Sequence, residues 1–180
     1  MKKYKPIIIV AGEPNSIFLE LFFKAINSKK YRSPLILIAS KKLLMLQMKY
    51  LNFNKKIKIL DYKKLNKLNL DNKSINLINI QYNTKKAFEK ISNKSNAYIR
   101  NSFDIAFKII KTGYTKKLIN GPISKKNFLK NKHLGITEYI SDKFLIKKQA
   151  MLIFNKKLSV CPLTTHVPLK NVVKKINKKN

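Results

Sequence analysis

The chain has 180 residues, a formal net charge of +32 and an apolar content of 44%. This length and apolar content allow a real hydrophobic core and exclude a chain that is disordered throughout. No apolar run approaches the roughly 20 residues that a membrane span needs. A single cysteine, Cys161, excludes an intramolecular disulfide framework, and the N-terminus lacks the pattern of a secretory signal. The simplest prediction is a cytoplasmic protein that makes no use of a membrane.

Charge alone suggests nucleic acid as a partner. Lys and Arg total 40, yet the only arginines are Arg32 and Arg100. Proteins that grip phosphates or read bases favour arginine, because its planar guanidinium binds in a bidentate manner. The lysines are instead spread through every segment, so we expect them to be scattered over the surface and to bind nucleic acid only non-specifically. A basic nucleic-acid-binding module remains the alternative from another functional class.

The first half of the chain contains runs rich in Ile, Leu and Val that are typical of buried strands. The predicted strands are 6–10, 34–39, 56–60 and 75–80, the last of them near a sheet edge. Asn15 or Ser16 is the predicted cap of a helix after the first strand. The apolar positions of that helix include Ile17, Leu21 and Phe22.

Ser40 is the predicted cap of a second helix, which runs to about Tyr50. The lysine-rich segment 61–70 has no clear period and is predicted to be a surface connection. Thr84 is the predicted cap of a long helix that ends at Gly113, where a C-cap glycine is typical. The predicted apolar stripe of that helix consists of Ala87, Phe88, Ile91, Ser95, Tyr98, Ile99, Phe103, Ala106 and Ile110.

The remaining elements are shorter. They are a strand at 118–120, helices at 125–129, 137–145 and 169–176, and strands at 151–154 and 158–163. Strands that alternate with helices indicate a layered α/β fold with a largely parallel sheet.

Two junctions between elements can carry chemistry. In the turn Asn120–Lys125, Gly121 allows another backbone segment to approach closely. The N-terminus of the following helix could bind an anion. The alternative is an ordinary βα turn in which Ser124 only caps that helix. At the second junction, Thr137 is either a helix cap or a residue that holds a carboxylate or phosphate. The nearby His133 is predicted to be an uncommitted surface histidine.

The other histidine, His166, is predicted to lie where a strand ends and turns before Pro168. A neutral imidazole in this place can ligate a divalent metal or transfer a proton, because ligands bind at the carboxyl ends of parallel strands. The alternative is a histidine that only forms a hydrogen bond across a turn. Cys161 is predicted to contribute packing rather than to act as a nucleophile.

Four stretches together resemble the 4-hydroxythreonine-4-phosphate dehydrogenase family of pyridoxal phosphate biosynthesis. They are 6–14 (PIIIVAGEP), 118–125 (LINGPISK), 135–139 (GITEY) and 163–169 (LTTHVPL). The resemblance spans the whole chain but only about the N-terminal half of the family's length.

The resemblance implies an isocitrate and isopropylmalate dehydrogenase-like α/β fold, here incomplete, with a first subdomain at 1–120 and the start of a second at 121–180. It implies a homodimer for the complete protein, and NAD or NADP with a divalent metal (zinc, magnesium or cobalt) as cofactors. The implied reaction is oxidation and decarboxylation of 4-phosphooxy-threonine, a phosphorylated amino acid. By motif, His166 is a metal ligand, and Thr137 and Ile136 are the substrate-binding positions.

The sequence also departs from the family. Ile136 stands where the family usually has a histidine, so a substrate contact is lost or supplied elsewhere. Residues 16–20 lack two glycines and a proline of the family's first loop. The other two metal histidines belong to the family's C-terminal half, so we expect the chain alone to be inactive and to expose apolar surface. A non-catalytic fragment or a divergent paralogue of this fold is the alternative.

Overall fold

The computed structural model describes residues 4–130, 132–147, 149–164 and 167–176, and its centre is a five-stranded parallel sheet. The strands are β1 (Ile7–Val10), β2 (Leu35–Ala39), β3 (Ile57–Ile59), β4 (Ile75–Asn79) and β5 (Leu118–Asn120). Their order in the sheet is β3-β4-β2-β1-β5. The predicted layered α/β fold with a parallel sheet is therefore confirmed.

Among the described residues, three helices cover the two faces of this sheet, and two more helices follow later in the chain. The helices are α1 (Phe18–Ser28), α2 (Lys41–Tyr50), α3 (Asn96–Lys111), α4 (Ile136–Lys143) and α5 (Leu169–Lys175). On one face, Leu37 of β2 shares a buried cluster with residues of α1 and α2. The alternate residues Ile36 and Ile38 are fully buried on the other face, where α3 contacts β1 and β2. Burial on both faces explains the continuous apolar runs of the central strands.

Two long connections determine the strand order. After β2 the chain passes through α2 to the edge strand β3, and it then returns to β4, which pairs with both β3 and β2. After β4 it crosses through α3 to β5 at the opposite edge, where β5 pairs with β1. The turns after β1 and β5 therefore lie side by side at the carboxyl edge of the sheet.

The cap of α2 is confirmed, whereas the apolar face predicted for the first helix is confirmed at Phe22 and wrong at Ile17 and Leu21. The Ser40 hydroxyl accepts a hydrogen bond from the Leu43 amide at 3.3 Å. Ile17, just before α1, is 63% exposed and Leu21 is 53% exposed, and the residues of α1 that enter the core are Leu19, Phe22 and Phe23. The predicted and the observed buried faces of this helix differ by a rotation about its axis. Because the helix has apolar residues on several sides, the sequence pattern does not determine that rotation.

The long helix predicted from Thr84 is wrong in its first part, because α3 begins only at Asn96. The preceding backbone forms hydrogen bonds with distant side chains instead. The backbone amide of Glu89 donates to the Asn15 side chain at 3.0 Å. The side-chain amide of Gln47 donates to the backbone carbonyl of Ala87 at 2.8 Å. These contacts hold the segment as a loop. The helix ends as predicted, with Gly113 at φ +76° just after it.

The segment 61–70 is more than a surface connection. A 3-10 helix at Tyr62–Lys67 is capped by the Asp61 carboxylate, which accepts from the Lys63 amide at 2.9 Å. Leu65 and Leu70 are buried. Two apolar residues in a lysine-rich run are thus enough to attach this segment to the core.

The chain forms two compact units, residues 1–136 and 137–180. In the second unit, the two strands predicted at 151–154 and 158–163 are wrong in extent, because only Ile153 and Val160 form an antiparallel bridge. None of the apolar residues in these two runs is buried, so little packing favours a longer ladder. The subdomain boundary predicted after residue 120 stays a prediction. None of the helices in the described parts of the chain is both long and apolar enough to span a membrane.

Candidate functional site

The turns that follow β1 and β5 are in direct backbone contact. The Gly121 amide donates to the Val10 carbonyl at 2.7 Å, and the Glu13 amide donates to the Pro122 carbonyl at 2.8 Å. Gly12 has φ +74°, and a Cβ on Gly12 would lie only 2.9 Å from the Gly121 carbonyl oxygen. A Cβ on Gly121 would lie 2.8 Å from the Phe18 ring and would overlap the Ala11 carbonyl, in the turn after β1. Both turns therefore require glycine, as the sequence predicts for the second.

Glu13 places a buried carboxylate beside this contact. Its side chain accepts a hydrogen bond from the Ser95 hydroxyl at 2.9 Å and one from the Asn15 amide at 3.4 Å. Among the described residues no lysine or arginine forms an ion pair with it. The carboxylate therefore links the turn after β1 to the residue before α3, and its hydrogen-bond donors must offset the cost of burying a charge.

The turn at Asn120–Lys125 is capped as predicted. The Ser124 hydroxyl accepts from the Asn127 amide at 3.1 Å, and a short π-helical turn follows at Lys125–Leu129. The Asn127 carbonyl in turn accepts from the Asn96 side chain at 2.8 Å. The Ser124 hydroxyl is thus committed to the fold, while the anion site at this turn stays a prediction.

The two predicted substrate residues lie in the first turn of α4. This helix begins at Ile136, so Thr137 is inside the helix and its prediction as the N-cap is wrong. Both residues are half-buried. Their contact with a substrate stays a prediction, since no ligand tests it.

The predicted metal ligand His166 lies outside the described residues. Within the ranges that the structure describes, no three His, Cys, Asp or Glu side chains are placed to hold a metal ion. The described residues by themselves therefore do not fit the divalent metal that the resemblance implies. Cys161 is exposed, so its predicted packing role is wrong, and His133 is half-buried rather than on the open surface.

Polar side chains near the carboxyl edge of the sheet were not predicted. Gln47 is fully buried, and its amide also donates to the Pro14 carbonyl at 3.0 Å. Tyr98 is buried, and Tyr82 packs against it with ring centroids 5.1 Å apart. Burial is the main cause that raises the pKa of both tyrosines. The sequence offered one indication of Tyr98, because it is a residue with a polar group inside an apolar helical stripe. The residues around Tyr98 come from distant parts of the chain, so its surroundings could not be predicted.

Comparisons with known proteins identify a family and individual proteins to which this chain is similar. A sequence model of the family described as pyridoxal phosphate biosynthetic protein PdxA matches residues 30–180. A protein of a Sulfurihydrogenibium species called 4-hydroxythreonine-4-phosphate dehydrogenase is 29% identical over 179 residues, which is 96% of this chain and 53% of the relative. One of the same name from Wigglesworthia glossinidia brevipalpis is 26% identical over 98% of this chain and 53% of the relative.

Solved structures show the same fold. The 4-hydroxythreonine-4-phosphate dehydrogenase of Burkholderia phymatum superimposes with a TM-score of 0.80 at 18% identity, over 98% of this chain and 55% of the other. That of Klebsiella pneumoniae gives 0.79 at 17% identity, over 98% and 54%. The chain therefore spans about half the length of the relatives it matches.

Proposed function

The chain belongs to the pyridoxal phosphate biosynthetic protein PdxA family, and from this premise we propose that it forms the N-terminal part of a 4-hydroxythreonine-4-phosphate dehydrogenase. The proposed reaction oxidises the secondary alcohol of 4-phosphooxy-threonine with NAD or NADP. The β-keto acid that results then loses carbon dioxide and gives 3-amino-2-oxopropyl phosphate. The observation that carries the proposal is the family match over residues 30–180, together with a shared fold.

The second unit is proposed to contribute the substrate contacts of this chain. The Thr137 hydroxyl, in the first turn of α4, is suited to a hydrogen bond with a polar group of the substrate. Ile136 beside it offers no donor or acceptor, so the contact made by the family's usual histidine is missing at this position. His166 is proposed as one ligand of a divalent metal (zinc, magnesium or cobalt).

The complete enzyme is proposed to be a cytoplasmic homodimer, and the chain alone is proposed to be inactive. A catalytic metal site takes about three protein ligands. The described residues offer no such cluster, and the sequence adds only His166 to them. A second copy in a dimer brings only a second His166, so the remaining ligands must come from the part of the family that this chain does not span.

The test compares the purified 180-residue chain with a version extended through the downstream reading frame. NADH or NADPH formation is followed with 4-phosphooxy-threonine and each candidate metal. We expect turnover only in the extended protein, its loss in His166→Ala, and little change in the control His133→Ala. Metal-dependent turnover by the short chain, abolished by His166→Ala, would show that the missing half is dispensable. A folded extended protein without activity would instead favour the non-catalytic paralogue.

A second variant tests the departure at residue 136. In the extended protein, Ile136→His restores the side chain that the family usually carries there. We expect a lower KM for 4-phosphooxy-threonine by about tenfold, since one hydrogen bond to a charged group is worth about 1.5–3 kcal/mol. Ile136→Leu is the matched control, and an equal change in both variants would show that residue 136 does not contact the substrate.

A further inference from the structure

The turn after β5 contains a chemically labile pair of residues. Asn120 is followed by Gly121, and this is the only Asn–Gly sequence in the chain. In such a pair the backbone nitrogen of glycine attacks the side-chain carbonyl of the asparagine, because glycine has no side chain that hinders the approach. The pair carries none of the substrate or metal contacts proposed above, so its chemistry is independent of the proposed function.

The reaction is deamidation, and water is its only co-reactant. A bond forms between the Gly121 nitrogen and the side-chain carbon Cγ of Asn120. The bond from Cγ to Nδ2 breaks, and the side-chain nitrogen leaves as ammonia with the proton of the Gly121 amide. Water then opens the five-membered imide ring at either carbonyl. One opening gives aspartate, and the other gives isoaspartate, in which the main chain runs through the side chain and gains one carbon atom.

The fold holds this pair in an arrangement that opposes ring closure. The Gly121 amide donates to the Val10 carbonyl at 2.7 Å, so its nitrogen keeps the proton that it must lose in the attack. Asn120 pairs with Val10 in the extended strand β5, whereas a five-membered ring requires a backbone turned out of that conformation. The side-chain nitrogen that would leave donates to the Gly121 carbonyl at 3.1 Å. These contacts must break before the ring can close.

The turn after β1 fixes this arrangement from the other side. The Glu13 amide donates to the Pro122 carbonyl at 2.8 Å, and neither Gly12 nor Gly121 has room for a Cβ atom. The two turns therefore cannot slide past each other, and the Gly121 amide is released only when they separate. Backbone that is packed and hydrogen-bonded in this way opens less often than a free loop does.

We propose that the contact between these two turns keeps Asn120 from deamidating, and that prolonged unfolding becomes irreversible at this pair. An unfolded chain has neither the hydrogen bond to Val10 nor the extended strand, so its Asn–Gly pair reacts unhindered. Isoaspartate displaces the Gly121 amide by the added carbon atom, and the close approach to Ala11 leaves no space for this displacement. Aspartate replaces the donor to the Gly121 carbonyl by a second acceptor. Modification of the unfolded state in this way makes the operational stability of a protein a rate.

The first test compares deamidation of the folded chain with that of the guanidinium-unfolded chain at the same mildly alkaline pH. Peptide mapping by mass spectrometry follows aspartate and isoaspartate at residue 120. We expect the folded chain to react at least about tenfold more slowly, because a protected site reacts only through its open state. Equal rates in the two states would overturn the proposal.

Gly12→Ala tests whether the contact between the turns, rather than the fold as a whole, gives the protection. A Cβ at Gly12 would lie 2.9 Å from the Gly121 carbonyl oxygen and should force the turns apart. The matched control is Gly113→Ala, because Gly113 is also left-handed and an added Cβ there has no atom within 4 Å beyond its chain neighbours. Denaturation curves give the unfolded fraction of each variant. Gly12→Ala should deamidate at least about threefold faster than its unfolded fraction accounts for, and the control should not.

Equal behaviour of the two glycine variants would overturn the proposal. If Gly12→Ala does not fold, hydrogen exchange of the Gly121 amide in the unaltered chain replaces it as the test. We expect this amide to exchange at least about tenfold more slowly in the folded chain than in the unfolded one. Exchange at the same rate in both states would overturn the proposal as well.

Irreversibility is tested by refolding chains that have aged in guanidinium. The refolded and the aggregated fractions are separated after dilution, and both are mapped. We expect isoaspartate at residue 120 to be concentrated in the aggregated fraction. Asn120→Gln is the control, since its imide ring would have six members and would close far more slowly, so ageing should not lower its refolded yield. Isoaspartate at equal abundance in the two fractions of the unaltered chain would overturn the proposal.

Discussion

The two units differ in what their apolar residues contact. In the first unit, strands and helices bury their apolar side chains against one another, and Phe103 and Ile99 of α3 are fully buried. In the second unit, Phe154 is 72% exposed and Leu169 is 88% exposed. A similar apolar content thus forms a core in one unit and lies on the surface in the other. Exposed apolar patches of this kind mark contact surfaces or lead to aggregation.

This difference indicates that the sequence of the first unit is sufficient to form a core, whereas that of the second unit is not. In its described part the second unit makes one antiparallel bridge, and many of its large apolar residues are exposed. The chain spans only about half the length of the relatives that it matches. Substitutions in the two units should therefore have very different effects on stability.

The largest effect is expected for Phe103→Ala. Phe103 packs against the rings of Phe107 and Phe128 at 5.7 and 6.3 Å. Its removal should lower the free energy of unfolding by about 3–5 kcal/mol, as measured by urea denaturation. The matched change Phe154→Ala in the second unit should alter it by less than about 0.5 kcal/mol. Similar losses in both variants would show that the second unit has a core of its own.

The next effect concerns the two turns at the carboxyl edge of the sheet. In Gly121→Ala, the new methyl group would meet the Ala11 carbonyl and the Phe18 ring, and we expect a loss of about 3 kcal/mol. A methyl group added at Gly113 would have no other atom within 4 Å, so Gly113→Ala should cost only the left-handed backbone penalty of about 1 kcal/mol. Chemical denaturation measures both, and equal losses would show that the turns can separate.

The central strands β1 and β2 were predictable from the sequence because they are apolar on both faces. Short β-branched and apolar runs such as Ile7–Val10 and Leu35–Ala39 are typical of a buried strand between helices. The start of α3 was not predictable, because hydrogen bonds from Asn15 and Gln47, distant in sequence, hold the preceding segment as a loop. The role of Thr137 came from a motif, and Tyr98 belonged to no motif. Local sequence patterns predict the helices and strands, whereas a functional site depends on contacts between residues that are remote in sequence.

A smaller effect is expected at the buried carboxylate. Ser95→Ala removes the hydroxyl that donates to Glu13 at 2.9 Å and leaves the carboxylate with one long hydrogen bond from Asn15. The free energy of unfolding should fall by about 1–3 kcal/mol. Ser28→Ala, at an exposed hydroxyl at the end of α1, is the control and should be almost neutral. If Ser95→Ala were as mild as the control, solvent would have to reach the carboxylate.

The smallest effect concerns helix caps, and it separates the two units once more. Ser40→Ala removes the hydroxyl that accepts from the Leu43 amide, so the free energy of unfolding should fall by about 1 kcal/mol. In the second unit, α5 follows Pro168, which offers no side-chain cap, and Pro168→Ser would add one at an extended residue. We expect Pro168→Ser to raise the helix signal in circular dichroism slightly and to leave the urea midpoint of the first unit unchanged. A cap stabilises a helix locally even where the helix packs little of its apolar face. Because such a helix contributes little to a hydrophobic core, its cap should not stabilise the rest of the chain. A shift of the main unfolding midpoint in Pro168→Ser would therefore show that the two units unfold together.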